Sequence, residues 1–159
     1  MFNTCINISS DFSKLIEIEE FIDNIMHDCN LPENLRGRIT LPLMEAVKNA
    51  ITHGNKTDSS KTVRIICQQE AQNITFSVSD EGNGYDAQKY IDEGKTVNTY
   101  GLTILRSLCD EMNFQNNGNT VVFRLNIPIK QDIAKHFMPF ENIKEMHPET
   151  QISNHASKH

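Results

Sequence analysis

Apolar residues recur at intervals of three and four along much of the chain, and this spacing predicts α-helices. The first helix follows Ser10 and Asp11, either of which can cap its N-terminus. It ends before Pro32, because a proline ring suits the start of a helix better than its interior. A second helix is predicted for residues 33–53, and Pro42 in its middle predicts a kink or a break.

The second predicted helix carries a polar stripe within the stretch EAVKNAITHGN. Glu45, Asn49 and His53 recur every four residues and therefore share one side of the helix, while most of the apolar residues share the other. Gly54 follows as a natural C-terminal stop. A polar stripe is most often a solvated face, so this stretch alone does not distinguish a binding site from ordinary helix surface.

Runs of β-branched and aromatic residues, some of them alternating with polar ones, predict five strands. They cover residues 2–8, 61–69, 73–80, 112–115 and 120–127. A third helix is predicted for residues 101–112. Because the strands are grouped rather than alternating with helices, the sequence predicts an α+β fold, a two-layer sandwich with helices on one face of a mixed, mainly antiparallel sheet.

Length and composition restrict the class of protein. The 159 residues predict one structured domain, residues 1–129, and a polar C-terminal extension, residues 130–159, that is partly disordered. A net charge of −6 and a pI near 5.5 argue against direct binding to nucleic acid. No apolar run reaches membrane-spanning length and the N-terminus lacks a signal-peptide pattern, so we expect a cytoplasmic protein without membrane contact. Four cysteines lack CxxC spacing and are expected to be small buried thiols: Cys5, Cys29, Cys67 and Cys109.

The segment DEGNG follows directly after the third predicted strand. Asp80 supplies a carboxylate there, and Gly82 and Gly84 would let the backbone approach a ligand closely, as in a small-molecule site. Aspartate and glycine are also the residues that an ordinary turn prefers. Taken alone, the segment leaves both interpretations open.

The third predicted helix opens with Thr99, Tyr100, Gly101 and Leu102. Free backbone N–H groups and the positive end of the helix dipole suit a phosphate at such a position. A glycine near a helix start is common, so this feature also fits a helix without a ligand.

The order of these segments is more specific than any one of them. A helix with ExxxNAxxHG, a strand ending in DxGxG, a polar loop, a helix opening with GL and a last strand entered by GNT follow one another. In this the chain resembles the GHKL ATP-binding superfamily (gyrase, Hsp90, histidine kinases, MutL), whose nucleotide site is the Bergerat fold. It is most similar to the anti-sigma factor serine/threonine kinases of bacterial partner-switching systems. The resemblance covers residues 8–128.

The resemblance implies ATP and Mg²⁺ as cofactors and assigns the phosphate side of their site. Asn49 matches the family's magnesium-binding asparagine, whose amide oxygen suits a hard cation. Glu45 matches the general base, which would orient or deprotonate the attacking hydroxyl. Gly101 and Leu102 match the helix entry on the phosphate side.

The resemblance also assigns the adenine side. Asp80 matches the carboxylate that accepts the adenine amino group, and Gly82 and Gly84 match the glycines that pass beside the base. Thr120 matches a threonine whose hydroxyl helps to hold adenine. His53 is interpreted as a structural residue near the C-terminal end of the helix dipole.

Two features depart from the family pattern. The phosphate loop usually reads GxG, but here Thr99 and Tyr100 precede Gly101, so the first glycine is missing. A β-branched residue resists a positive φ, and Thr99 is therefore expected to force a different loop path. The segment that forms the lid over ATP is also short, and Lys95 is the one cation near its centre.

Two functions follow from this comparison. The first is an ATP-dependent serine/threonine protein kinase of the anti-sigma type, a homodimer that phosphorylates a STAS-domain antagonist and has a sigma factor as a possible second partner. The second is a nucleotide-binding module that sequesters a protein partner without phosphoryl transfer. The pair Glu45 and Asn49 favours the kinase, because a pure binder needs no base, whereas the altered lid favours the binding module.

Overall fold

The computed structural model describes residues 1–84 and 99–127, and within them five strands form one sheet. The strands are β1 (Phe2–Ser9), β2 (Thr62–Glu70), β3 (Asn73–Ser79), β4 (Glu111–Gln115) and β5 (Thr120–Asn126). Their order is β1-β2-β3-β5-β4, and each of these four pairings is antiparallel. The predicted α+β fold is confirmed.

Three α-helices complete the described fold and lie on one side of the sheet. They are α1 (Leu15–Asp28), α2 (Arg36–Asn49) and α3 (Thr99–Leu108). A short 3₁₀ turn precedes each of the first two helices. Before α1, Asp11 Oδ1 accepts the backbone N–H of Ser13 at 2.8 Å, so Asp11 is the capping residue and Ser10 is not.

The core lies between the helices and the inner face of the sheet. Apolar side chains of α1 and α2 recur at helical spacing and are buried, among them Ile18, Ile22, Ile25, Ile39, Leu43 and Val47. On the central strands the apolar residues alternate with polar ones, so one face is buried. Phe76 on β3 stacks on Phe123, its register partner on β5, with ring centroids 5.4 Å apart.

A break at Pro42, one of the two predicted alternatives, is wrong, and so is the predicted end of the third helix. Pro42 is buried within α2, and the helix continues through it without a break. Burial of the proline ring offsets the missing backbone hydrogen bond. The third helix ends at Leu108 rather than at residue 112, because the chain already pairs with β5 at Asp110, whose N–H donates to the carbonyl of Arg124 at 2.9 Å and whose carboxylate accepts the N–H of Asn126 at 2.7 Å.

One of the four thiols is fully buried as predicted, while Cys29 and Cys109 are half-buried. Cys67 is buried, and burial raises its pKa to about 12, whereas Cys5 lies exposed on the edge strand β1. The predictions for the polar loop after Gly84, for Lys95 and for the extension at residues 130–159 fall outside the described residues. Among the helices that the structure describes, none is long and apolar enough to cross a membrane.

Candidate functional site

The end of α2 carries the polar stripe. The helix widens after Asn49 into one π-helical turn, Ala50–Gly54, which is closed by a 2.8 Å hydrogen bond from the N–H of Asn55 to the carbonyl of Ala50. Glu45 and Asn49 are only half-exposed, while His53 is exposed. The first two members of the stripe are therefore not an ordinary solvated face.

The first turn of α3 packs against these two residues. A Cβ atom on Gly101 would lie 2.0 Å from Glu45 Oε1 and 3.5 Å from Asn49 Nδ2, so any larger residue would displace the carboxylate. Glycine at position 101 thus leaves room for the carboxylate of Glu45. The structure brings Glu45, Asn49 and Gly101 together.

Asn49 has an unused hydrogen-bonding group. Its side-chain nitrogen is buried and has no hydrogen-bond partner among the described residues. An orphaned buried amide costs free energy, and a polar ligand that reached it would recover that cost. The amide could donate to a phosphate oxygen while its oxygen binds a cation. No cluster of three or more metal-binding side chains is present in the described ranges.

Gly54 connects the two sides of the site. It ends the helix as predicted, but its φ is not positive, so it does not act as a left-handed cap. A Cβ atom there would lie 2.2 Å from Cγ of Asp80. Glycine is needed because the carboxylate of Asp80 lies directly against the backbone of the π-helical turn.

Asp80 begins a tightly folded loop. Its Oδ1 accepts the N–H of Gly82 at 2.8 Å, and its other oxygen is not engaged by that bond. Position 82 also requires glycine, since a Cβ atom there would lie 2.2 Å from the carbonyl oxygen of Gly54. Burial raises the pKa of Asp80, although the Gly82 hydrogen bond and the charge of Lys61 oppose that effect.

The far end of the loop meets the start of β5. Gly84 has a φ of +74°, and a Cβ there would lie 2.3 Å from the carbonyl oxygen of Asn117, so glycine is required on both counts. Thr120 is 4% exposed, and its hydroxyl shares a 3.0 Å hydrogen bond with that of Ser79. Thr120 therefore lies beside the strand end that precedes Asp80.

The predicted site residues form two neighbouring groups. One holds Glu45, Asn49 and Gly101, and the other holds Asp80, Gly82, Gly84 and Thr120. The C-terminal end of α2 links the groups, because Gly54 follows Asn49 by little more than one turn. Thr99, Tyr100 and Leu102 lie in the first turn of α3, so residue 99 belongs to a right-handed helix.

Sequence reasoning missed two asparagines that hold the Asp80 loop. Asn55 Oδ1 accepts the N–H of Glu81 at 2.8 Å, and Asn119 Nδ2 donates to the carbonyl of Gly82 at 2.5 Å. Each adjoins a predicted motif, since Asn55 follows HG and Asn119 belongs to GNT. That adjacency was the available signal, but asparagine is common in loops and its partners cannot be inferred from its position.

A helix end, a glycine-rich loop and a threonine thus lie close together in the described fold. Residues 8–125 match the family described as the histidine kinase-like ATPase domain. The chain belongs to this family, and its recognition as a GHKL-type domain is confirmed. No curated protein matches the sequence.

Solved structures support the same fold. The RsbU and RsbW domains of Rv1364c from Mycobacterium tuberculosis match with a TM-score of 0.57 and 16% identity over 81% of this chain and 33% of that one. The blue-light activated histidine kinase EL346 from Erythrobacter litoralis matches with a TM-score of 0.50 and 21% identity over 74% of this chain and 42% of that one. This chain thus spans about a third to two fifths of the length of these structural neighbours.

Proposed function

We propose that this protein is an ATP-dependent serine/threonine protein kinase of the anti-sigma type. ATP would lie with its adenine against Asp80 and its phosphates near Asn49, where Mg²⁺ would neutralise their charge. The kinase would transfer the γ-phosphoryl group to a hydroxyl of a STAS-domain antagonist and regulate transcription by partner switching. Family membership supports a kinase-like ATPase, and the residue-level resemblance supports the narrower class.

One observation carries the proposal. Glu45 is a half-exposed carboxylate held against Gly101, one helical turn from the side-chain amide of Asn49, whose nitrogen has no partner in the described part of the chain. A base must reach the nucleophile's proton while the cation holds the phosphate, and neighbouring positions on one helix face meet both needs. A protein that only binds nucleotide has no use for the carboxylate.

The decisive experiment is a transfer assay. The full chain is incubated with labelled ATP, Mg²⁺ and the STAS protein encoded nearest its gene, alongside Glu45→Gln, which keeps the shape of the side chain. We expect label on the STAS protein with wild type, and a rate roughly a hundredfold lower with the variant at unchanged ATP affinity. Equal rates for the two proteins would remove Glu45 from the chemistry.

A second candidate function is a nucleotide-binding module that sequesters a partner without transfer. It is favoured by Thr99, which stands where the family pattern has a glycine and begins α3 in a right-handed helix. On this alternative, wild type binds ATP and the partner but labels nothing, and Glu45→Gln behaves like wild type throughout.

A further inference from the structure

Asn55 is one of the few polar side chains that the fold buries. Within the described part of the chain three polar residues are buried, Ser10, Asn55 and Thr120, and Asn55 is 0% exposed. It follows the π-helical turn directly. Burying an amide is unfavourable unless its donors and acceptor find partners, so its partners indicate what it holds in place.

The side chain of Asn55 joins three separate segments. Nδ2 donates to Ser10 Oγ at 2.7 Å and to the carbonyl of Thr62 at 3.0 Å, which lie just after β1 and at the start of β2. Oδ1 accepts the N–H of Glu81 at 2.8 Å. Both donors and the acceptor are thus satisfied, and the third segment is the loop that carries Asp80.

That loop is held on both sides of Asp80 by the protein's own hydrogen bonds. The N–H of Asp80 donates to the carbonyl of Asn119 at 2.9 Å, and Glu81 Oε2 accepts the N–H of Thr62 at 2.7 Å. The N–H of Gly82 is bound to Asp80 itself. Each backbone N–H from residue 80 to residue 82 therefore has a partner within the protein, and Asn55 supplies the middle one.

We propose that Asn55 is a positioning residue for the adenine end of the site. It acts through Asp80: by holding the N–H of Glu81, it fixes the chain on the C-terminal side of the carboxylate and leaves one carboxylate oxygen directed to a ligand. The inference rests on the proposed function, since it assumes that Asp80 accepts the adenine amino group. A preformed loop saves the free energy of ordering that binding would otherwise cost.

The test compares Asn55→Ala with Ser10→Ala in the full chain. Ser10→Ala removes one buried hydrogen bond of the same network, but leaves Nδ2 bonded to Thr62 and Oδ1 bonded to Glu81. Affinities for AMP, ADP and Mg²⁺-ATP are measured by calorimetry at a temperature where thermal unfolding shows each protein fully folded. AMP isolates the adenine end because it lacks the β- and γ-phosphates.

We expect Asn55→Ala to weaken the binding of all three nucleotides by a similar factor of about ten, which is the effect of losing one hydrogen bond that positions a binding group. Ser10→Ala should stay within about twofold of wild type even if its melting temperature falls. If Asn55 had only a structural role, nucleotide affinity would instead fall in both variants, in proportion to the stability that each variant loses. Equal losses in the two variants, or no loss in Asn55→Ala, would overturn the inference.

Hydrogen exchange of the Glu81 amide provides a second measurement that needs no Asn55 variant. The amide should be protected in nucleotide-free wild type and in Ser10→Ala. Exchange at the rate of an unprotected amide would overturn the inference even if Asn55→Ala failed to fold. If wild type binds no adenine nucleotide, the proposed function fails and this inference fails with it, whereas normal binding with the wrong variant pattern refutes the inference alone.

Discussion

Asn49 combines two properties that rarely occur together in a stable interior. Its side-chain nitrogen is buried, and no described residue accepts a hydrogen bond from it. Such a group reduces the stability of the free protein and can recover the loss when a ligand arrives. The position is therefore better suited to binding than to folding.

Replacing Asn49 with Ala should weaken Mg²⁺-ATP binding at least about tenfold, because the cation and the phosphates lose a ligand. The melting temperature of the nucleotide-free protein should hold or rise, since an unsatisfied buried amide is removed. Calorimetry and thermal unfolding measure the two quantities. Asn24→Ala, the same change at an exposed position of α1, is the control: it should leave ATP affinity unchanged and raise the melting temperature only by the helix propensity of alanine. Unchanged ATP affinity in Asn49→Ala would exclude Asn49 from the site.

Asp80 also lowers the stability of the nucleotide-free protein. Burial raises the pKa of its carboxyl in the folded state, so the folded protein holds that proton to higher pH than the unfolded chain does. The associated stability is present below the ordinary aspartate pKa and is lost as the pH rises through the raised value. At neutral pH the ionised carboxylate is therefore a net cost.

Asp80→Asn should be more stable than wild type at pH 7 without nucleotide, by less than about 1 kcal/mol, because the partly exposed carboxyl keeps much of its hydration. The amide oxygen can still accept the N–H of Gly82. The advantage should vanish as the pH falls below the ordinary range of aspartate. Urea unfolding at several pH values measures it, and a stability difference that does not depend on pH would contradict this explanation.

At the scale of elements, the close contact between α2 and α3 is possible because Gly101 has no side chain. Gly101 lies so close to Glu45 that an added methyl group would have to move the carboxylate. The carboxylate is the far end of a flexible side chain, so it should move before either backbone does. Helix packing thereby determines where the proposed base lies.

Gly101→Ala should leave the fold intact and AMP affinity unchanged, but slow phosphoryl transfer by at least about tenfold, since a displacement of about 1 Å at a reacting group is costly. Gly37→Ala is the matched control. A Cβ at position 37 meets nothing within 4 Å, and alanine should add roughly 0.5–1 kcal/mol of stability to α2 without altering transfer. Single-turnover rates and thermal unfolding test both variants. An unchanged rate in Gly101→Ala would show that the contact does not position the base.

The sequence predicted the elements and indicated candidate site residues because residue type carries that information. Glutamate and asparagine four apart on a helix, and aspartate followed by glycines, restrict the chemistry of a site through their functional groups and spacing alone. The π-helical turn and the function of Gly54 were not predictable in the same way. A glycine at a helix end fits a left-handed cap and a close backbone contact equally well, and only the position of Asp80 distinguishes them.

At the scale of the whole molecule, the family match ends at residue 125 and β5 ends at Asn126. The division into a domain of residues 1–129 and an extension of residues 130–159 stays a prediction. A chain cut after residue 129 should fold with a melting temperature within about 3 °C of the full chain and bind ATP equally well. Circular dichroism and calorimetry compare the two. A truncated chain that fails to fold would assign the extension to the core.

The neighbouring positions of β3 and β5 have a consequence for the evolution of such a protein, namely for where insertions are accepted. These strands are adjacent in the sheet, yet residues 80–119 separate them in the chain. The segment contains α3 and β4, and its two ends meet where the N–H of Asp80 donates to the carbonyl of Asn119. Lengthening a loop whose ends are already joined costs little, about 0.6 kcal/mol for each doubling. Insertions in the parts of this segment outside α3 and β4 can therefore be accepted while the register of β3 with β5 is conserved.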